Sequence, residues 1–230
     1  MLLFLVFLPS FAAPQELYDS FAQQRSALVS SFEKKYPKND KKIFQALSSV
    51  KREDFLPEKI KKYAYIDISL PLDNTGTGTA SGTIVSHSDI LKILLNLQNT
   101  DRNRALVIGR GAGFTAAVLS SLYSTVFLIE TDKGESDKYA LFMPEIYPNI
   151  ITQFTKEFNF FRSNRPFDLI VLNGSIESYA GEFTEDLSEK GELFFPLSDN
   201  DGFQLLYRAE KKGESYTIKV IDEVVFPKLN

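Results

Sequence analysis

The stretch that decides the fold is Arg104-Ala105-Leu106-Val107-Ile108-Gly109-Arg110-Gly111-Ala112-Gly113, followed by Phe114-Thr115-Ala116-Ala117-Val118-Leu119. Residues 104–108 form a short, nearly continuous apolar run, the pattern of a strand covered on both faces of a parallel sheet. Three glycines then break the run, and small apolar residues predict a helix over 113–123. Glycines at such a turn let backbone approach a ligand and present amides at a helix N-terminus. Their spacing is G-x-G-x-G, not the G-x-G-x-x-G of nicotinamide enzymes, which disfavours a dehydrogenase.

Downstream, residues 126–130 predict a second strand that ends on Glu130, 19 residues after Gly111. An ionised carboxylate there can accept both hydroxyls of a ribose. Asp168-Leu169-Ile170-Val171-Leu172 is a further buried strand. Strands alternating with helices give an α/β fold with a doubly wound, mostly parallel sheet. After Gly191 the rhythm changes to strands over 192–195, 203–208 and 216–225, separated by Asp199-Asn200-Asp201-Gly202 and Lys211-Lys212-Gly213. Those are hairpin signals, so the sheet ends in antiparallel strands.

Upstream, residues 84–97 predict an amphipathic helix. Residues 15–50 read as helical, with Leu17, Phe21, Leu28 and Phe32 on one face. A break at Tyr36-Pro37-Lys38-Asn39 leaves Asp40 to cap a second helix that carries Ile43, Phe44 and Leu47. Lys51-Arg52-Glu53-Asp54-Phe55-Leu56-Pro57 reads as a polar connector, and residues 73–83 as a Gly/Thr-rich loop of the kind that carries function. This divides the chain into a hydrophobic segment (1–13), a helical region with the loop (14–83) and a Rossmann-like domain (84–230).

Composition narrows the function classes. The 230 residues contain no cysteine, which excludes disulfides, zinc fingers and thiol nucleophiles. His87 is the single histidine, so a Ser-His-Asp site would rest on that one residue or be absent, a two-histidine metal site lacks its second ligand, and no metal is expected. A lone histidine on a helix is read as a surface residue. The net charge of −4 gives no nucleic-acid footprint. Met1-Leu2-Leu3-Phe4-Leu5-Val6-Phe7-Leu8-Pro9-Ser10-Phe11-Ala12-Ala13 resembles a signal peptide but lacks a basic start, and it is shorter than the roughly 20 residues of a membrane span. Stable membrane insertion is therefore not expected.

From residue 40 to 229 the sequence resembles the protein-L-isoaspartate O-methyltransferases, S-adenosylmethionine-dependent enzymes that methylate the free carboxylate of isoaspartyl residues in damaged proteins. The likeness rests on Val50-Lys51-Arg52-Glu53-Asp54-Phe55-Leu56-Pro57, on Ala64-Tyr65-Ile66-Asp67 with Leu70-Pro71-Leu72, and on the helix that opens at Gly113-Phe114. It rests also on Pro166-Phe167-Asp168, on Leu187-Ser188-Glu189-Lys190-Gly191, and on the ending Val224-Val225-Phe226-Pro227. The resemblance implies S-adenosylmethionine as cofactor, held by Gly109, Gly111, Gly113, Glu130 and Asn173. It implies isoaspartyl proteins or peptides as partners. The family's G-Q-T-I-S loop has its nearest local match in Gly78-Thr79-Ala80-Ser81-Gly82, which makes Thr79 and Ser81 the expected catalytic hydroxyls, with Thr83 or Ser86 as alternatives. The acceptor carboxylate is already ionised at neutral pH, so no general base is needed.

Four features depart from the family. Val107 stands where an acid helps hold the methionine portion of the cofactor, Arg110 replaces a small residue, Thr155-Lys156-Glu157-Phe158-Asn159 lacks the acidic stretch beside the adenine, and Asn173-Gly174-Ser175 replaces the usual small, polar run after the fourth strand. These departures keep two other readings open: a catalytically silent relative that serves as a binding scaffold, and a carboxyl methyltransferase with another acceptor. The donor is a cytosolic metabolite, so the cytoplasm is the expected compartment, with export as the alternative if residues 1–13 act as a signal.

Overall fold

The computed structural model describes residues 13–72, 82–155, 158–178 and 181–229. Helices α1 (Ala13–Lys35) and α2 (Lys41–Ser49) open the chain. Asp40 caps α2 as its position predicts, its carboxylate accepting the Lys42 N–H at 2.9 Å. Strands β1 (Leu70–Pro71) and β2 (Thr83–Ile84) form a separate antiparallel pair. Because β2 claims residues 83–84, helix α3 (His87–Leu95) starts later than residue 84, where the Ser86 hydroxyl accepts the Asp89 N–H.

The main sheet follows. Strand β3 (Arg104–Ile108) leads through α4 (Gly113–Ser120) to β4 (Thr125–Glu130), and α5 (Lys133–Ile146) leads to β5 (Ile150–Phe154). The chain then crosses back to β6 (Phe167–Leu172), passes α6 (Gly181–Thr184), and ends in β7 (Leu187–Ser198), β8 (Gln204–Lys212) and β9 (Ser215–Glu223). The order is β5-β4-β3-β6-β7-β8-β9, parallel from β5 to β7 and antiparallel from β7 to β9. The strand order reverses between the parallel neighbours β3 and β6, which makes their C-terminal edge the crevice where doubly wound sheets take ligands.

The period-2 pattern sorts the core. Ala105, Val107, Val126, Leu128, Leu169 and Val171 face one layer, while Leu106, Ile108, Phe127, Ile129, Ile170 and Leu172 face the other. Each such side chain contributes about 1.5–3 kcal/mol on burial, which is why these runs read so clearly.

The segment at 51–57 is not a polar connector. Arg52, Glu53, Phe55 and Leu56 are buried. The Arg52 guanidinium donates to the carbonyls of Ala64, Ile66, Ile68, Ile84 and Val85 at 2.8–3.3 Å and lies 5.7 Å from the Phe114 ring centroid. Burial lowers its pKa to about 10, against the opposing charge of Asp67. Glu53 accepts from the Tyr65 hydroxyl and pairs with Arg25 of α1 at 3.4 Å. Polar side chains thus fasten the N-terminal helices and β2 to the sheet domain. No helix among the described residues is long and apolar enough to cross a membrane.

Candidate active site

The predicted donor residues converge on the crevice. Gly109 ends β3 at φ +141°, and a Cβ there would lie 2.9 Å from the Asn173 carbonyl oxygen, so only glycine fits. The Asn173 N–H donates to the Ile108 carbonyl at 2.7 Å, and the Gly109 N–H to that of Ile129 at 3.0 Å. Three strand ends are thereby laced together. Gly111, at φ +71°, is covered on its Cβ side by Leu72 Cδ1 at 2.7 Å and the Thr83 oxygen at 2.9 Å. Gly113 is glycine for packing, since a Cβ would meet the Tyr139 ring of α5 at 2.6 Å.

Glu130 ends β4 fully buried. Its Oε2 accepts the Gly111 N–H at 3.0 Å and its Oε1 the Asp132 N–H at 2.9 Å. Burial drives its pKa up to about 8, opposed by those two amides and reinforced by the nearby carboxylates of Glu135 and Asp132. Each carboxylate oxygen has two lone pairs and spends one on these bonds, which leaves acceptor capacity for two hydroxyls.

The residues fit a nucleoside donor. Asn173 Oδ1 accepts from the Thr115 hydroxyl at 2.7 Å, while its buried Nδ2 has no acceptor among the described residues. An unpaired buried amide beside Gly109 is costly and calls for a ligand acceptor. Val107 is buried within β3, so the apolar residue at that position is part of the core. Among the described residues no group of three or more His, Asp or Glu is gathered in a metal-ligating cluster.

The acceptor side is built from the base of a hairpin. Leu70 pairs with Ile84 and Pro71 with Thr83, and the Leu72 N–H donates to the Gly82 carbonyl at 3.0 Å. This base rests on the glycine loop through Leu72 and Thr83. Thr79 and Ser81 lie outside the described residues. Of the two alternatives, Ser86 is committed to capping α3 and also donates to Asp89 at 2.8 Å. Thr83 is the described hydroxyl at the donor loop, and its buried Oγ1 has no partner among the described residues.

His87 is not on the surface. It is fully buried, 5.7 Å from the Tyr65 ring and 5.2 Å from that of Phe114, and neither ring nitrogen has a hydrogen-bond partner among the described residues. Burial, then the charges of Arg52 and Arg25, hold its pKa well below the usual imidazole value. It is a neutral core ring.

One residue that sequence reasoning missed frames the site. Asp132 caps α5 by accepting the Glu135 N–H at 2.9 Å, and its own N–H braces Glu130; an acid at a helix start was the available signal. Arg110, which the sequence shows only as a departure in the glycine loop, reaches Asp132 at 3.2 Å.

Residues 23–230 match the family described as Protein-L-isoaspartate(D-aspartate) O-methyltransferase (PCMT). A "Protein-L-isoaspartate O-methyltransferase" of Aliivibrio fischeri is 28% identical over 204 residues, covering 88% of this chain and 94% of the relative. A "Protein-L-isoaspartate O-methyltransferase 2" of Shewanella sediminis is 26% identical over 217 residues, covering 94% and 86%. Among solved structures, a protein-L-isoaspartate O-methyltransferase has a TM-score of 0.74 at 22% identity, covering 90% of this chain and 66% of that chain. A Plasmodium falciparum homologue described as a complex with S-adenosyl-L-homocysteine has a TM-score of 0.71 at 17% identity, covering 90% and 98%. At these identities the structures speak for the fold.

Proposed function

The chain belongs to the protein-L-isoaspartate(D-aspartate) O-methyltransferase family, and we propose that it transfers a methyl group from S-adenosylmethionine to the free carboxylate of L-isoaspartyl residues in damaged proteins, a repair reaction. The observation that carries this is the buried Glu130 carboxylate joined to the Gly111 amide at the crevice of the sheet.

When bound, the donor supplies an electrophilic methyl on a sulfonium. The chain's own residues do the rest by placement. Glu130 accepts the two ribose hydroxyls through its remaining lone pairs, and Asn173 Nδ2 donates to an acceptor atom of the donor. The acceptor hairpin aligns the isoaspartyl carboxylate through the hydroxyls of Thr79, Ser81 or Thr83. Leu72 and the hairpin base keep water from the reacting atoms. No side chain takes a proton, because the nucleophile is already an anion. The donor's cytosolic origin places this activity in the cytoplasm.

Incubation with tritiated S-adenosylmethionine and an isoaspartyl peptide, beside the same peptide with normal aspartate, tests the proposal. Base-labile label on the isoaspartyl peptide alone is expected. Label on both peptides points to another carboxyl acceptor. Label on neither, with donor binding intact, favours the silent scaffold that Arg110 and Val107 suggest.

A further inference from the structure

Arg110 does not project from the glycine loop into solvent. Its stem lies flat against Gly82, where a Cβ would sit 2.6 Å from Arg110 Cδ, 2.7 Å from Nε and 2.9 Å from Cγ. Its Nε lies 3.2 Å from Asp132 Oδ2. Asp132 in turn organises Glu130 through its backbone N–H at 2.9 Å. One side chain therefore spans three places: the donor loop, the base of the acceptor hairpin, and the turn that holds the ribose-binding acid. Glu130 itself is fully buried, so a ligand reaches its carboxylate only if something moves.

We propose that Arg110 is a positioning residue, a clasp that locks the acceptor hairpin onto the donor loop through Gly82 and Asp132, so that donor access to Glu130 requires the hairpin base to lift. The donor-access part rests on the reading of Glu130 as the ribose acid; the mechanical part stands without it. The chemistry suits arginine. Its long stem packs against backbone that has no Cβ, and its planar head keeps a fixed geometry toward a carboxylate. Gly82 is required because the stem occupies the space of its side chain. Asn can replace Asp132 as a cap for α5 but cannot hold the ion pair, so that variant separates the clasp from the fold.

The test uses the full chain without ligand. Hydrogen exchange is followed at the Leu72 amide, which bonds the Gly82 carbonyl at 3.0 Å, with the β3 and β4 amides as internal reference. Arg110→Ala and Asp132→Asn are each expected to speed exchange at Leu72 by about tenfold with the reference amides unchanged, while Arg110→Lys is expected to retain most of the protection. Gly82→Ala should reproduce the loss in the wild-type background and add nothing in Arg110→Ala, because the three nearest atoms the new methyl meets all belong to Arg110. Unchanged exchange in Arg110→Ala, or an additive Gly82→Ala effect, overturns the clasp. Stopped-flow binding of S-adenosylhomocysteine gives a second reading: association at least about threefold faster in Arg110→Ala supports the gate, and an unchanged rate overturns it. Absence of any S-adenosylhomocysteine binding contradicts the donor site instead, and the exchange data still decide the clasp.

Discussion

The Oε2 of Glu130 and the N–H of Gly111 lie 3.0 Å apart, joining the end of β4 to the loop after β3. The acid expected to hold a ribose is therefore also a strut of the glycine loop, and donor binding and loop geometry share one group. Its folded pKa is raised from the ordinary 4.5 to about 8, with Glu135, Asp132 and Tyr139 on the same side and Arg110 across the turn. The folded state thus favours the protonated form. The stability this gives is fully present below pH 4.5 and is lost as pH rises toward about 8. A ribose needs the ionised form as acceptor. Affinity for S-adenosylhomocysteine should then rise by up to about tenfold per pH unit until near pH 8 and level off above it. Calorimetry from pH 6 to 9, in about four buffers, checks this; an affinity that falls over that range contradicts it.

His87 gives a second pH dependence of opposite sense. Its folded pKa is depressed, so its contribution to stability is present above the ordinary 6.5 and is lost as pH falls below that value. Since both nitrogens are buried without partners, His87→Leu should leave stability unchanged or raise it by about 1–2 kcal/mol at neutral pH. The acid-side loss should shrink in the variant. Urea unfolding at two pH values measures both, and a marked loss at neutral pH would instead give the imidazole a partner.

Arg52 makes the strongest structural prediction. Removing a guanidinium that five carbonyls accept takes a buried donor from those of Ala64, Ile84 and Val85 and a part-buried one from those of Ile66 and Ile68. Arg52→Met should cost at least about 3 kcal/mol, and Arg52→Lys nearly as much, because one ammonium cannot span the fork. Equilibrium unfolding would show an unchanged midpoint if the cage were incidental.

Thr83→Val removes a buried hydroxyl without changing shape. Stability and S-adenosylhomocysteine affinity should hold, while kcat/KM for an isoaspartyl peptide falls by about tenfold or more, as for loss of one hydrogen bond to a charged group. Full activity in Thr83→Val, with loss in a Thr79→Ala, Ser81→Ala pair, would move the acceptor hydroxyl to Thr79 or Ser81.

The central strands were legible because their chemistry is local. Residues 104–108, 126–130 and 168–172 carry apolar runs that any parallel sheet would bury, and the glycines between them admit one turn. Spacing alone put Glu130 at the end of a strand next to the glycine loop, where its carboxylate meets the Gly111 amide. What stayed hidden depends on partners distant in sequence. Arg52 and Glu53 read as solvent-facing because nothing nearby in the chain shows the carbonyls of Ile84 and Val85 or the hydroxyl of Tyr65. His87 read as exposed because the aromatic walls come from Tyr65 and Phe114. Arg110 read only as a bulky intrusion, since its counterparts, Gly82 and Asp132, lie on other loops.

Titration calorimetry of the full chain with S-adenosylhomocysteine, beside Glu130→Gln, tests the central claim most directly. The account predicts micromolar binding by the wild type and at least about tenfold weaker binding by the variant, which replaces one acceptor oxygen with a donor. No heat up to millimolar ligand, or equal affinity in both proteins, would contradict it.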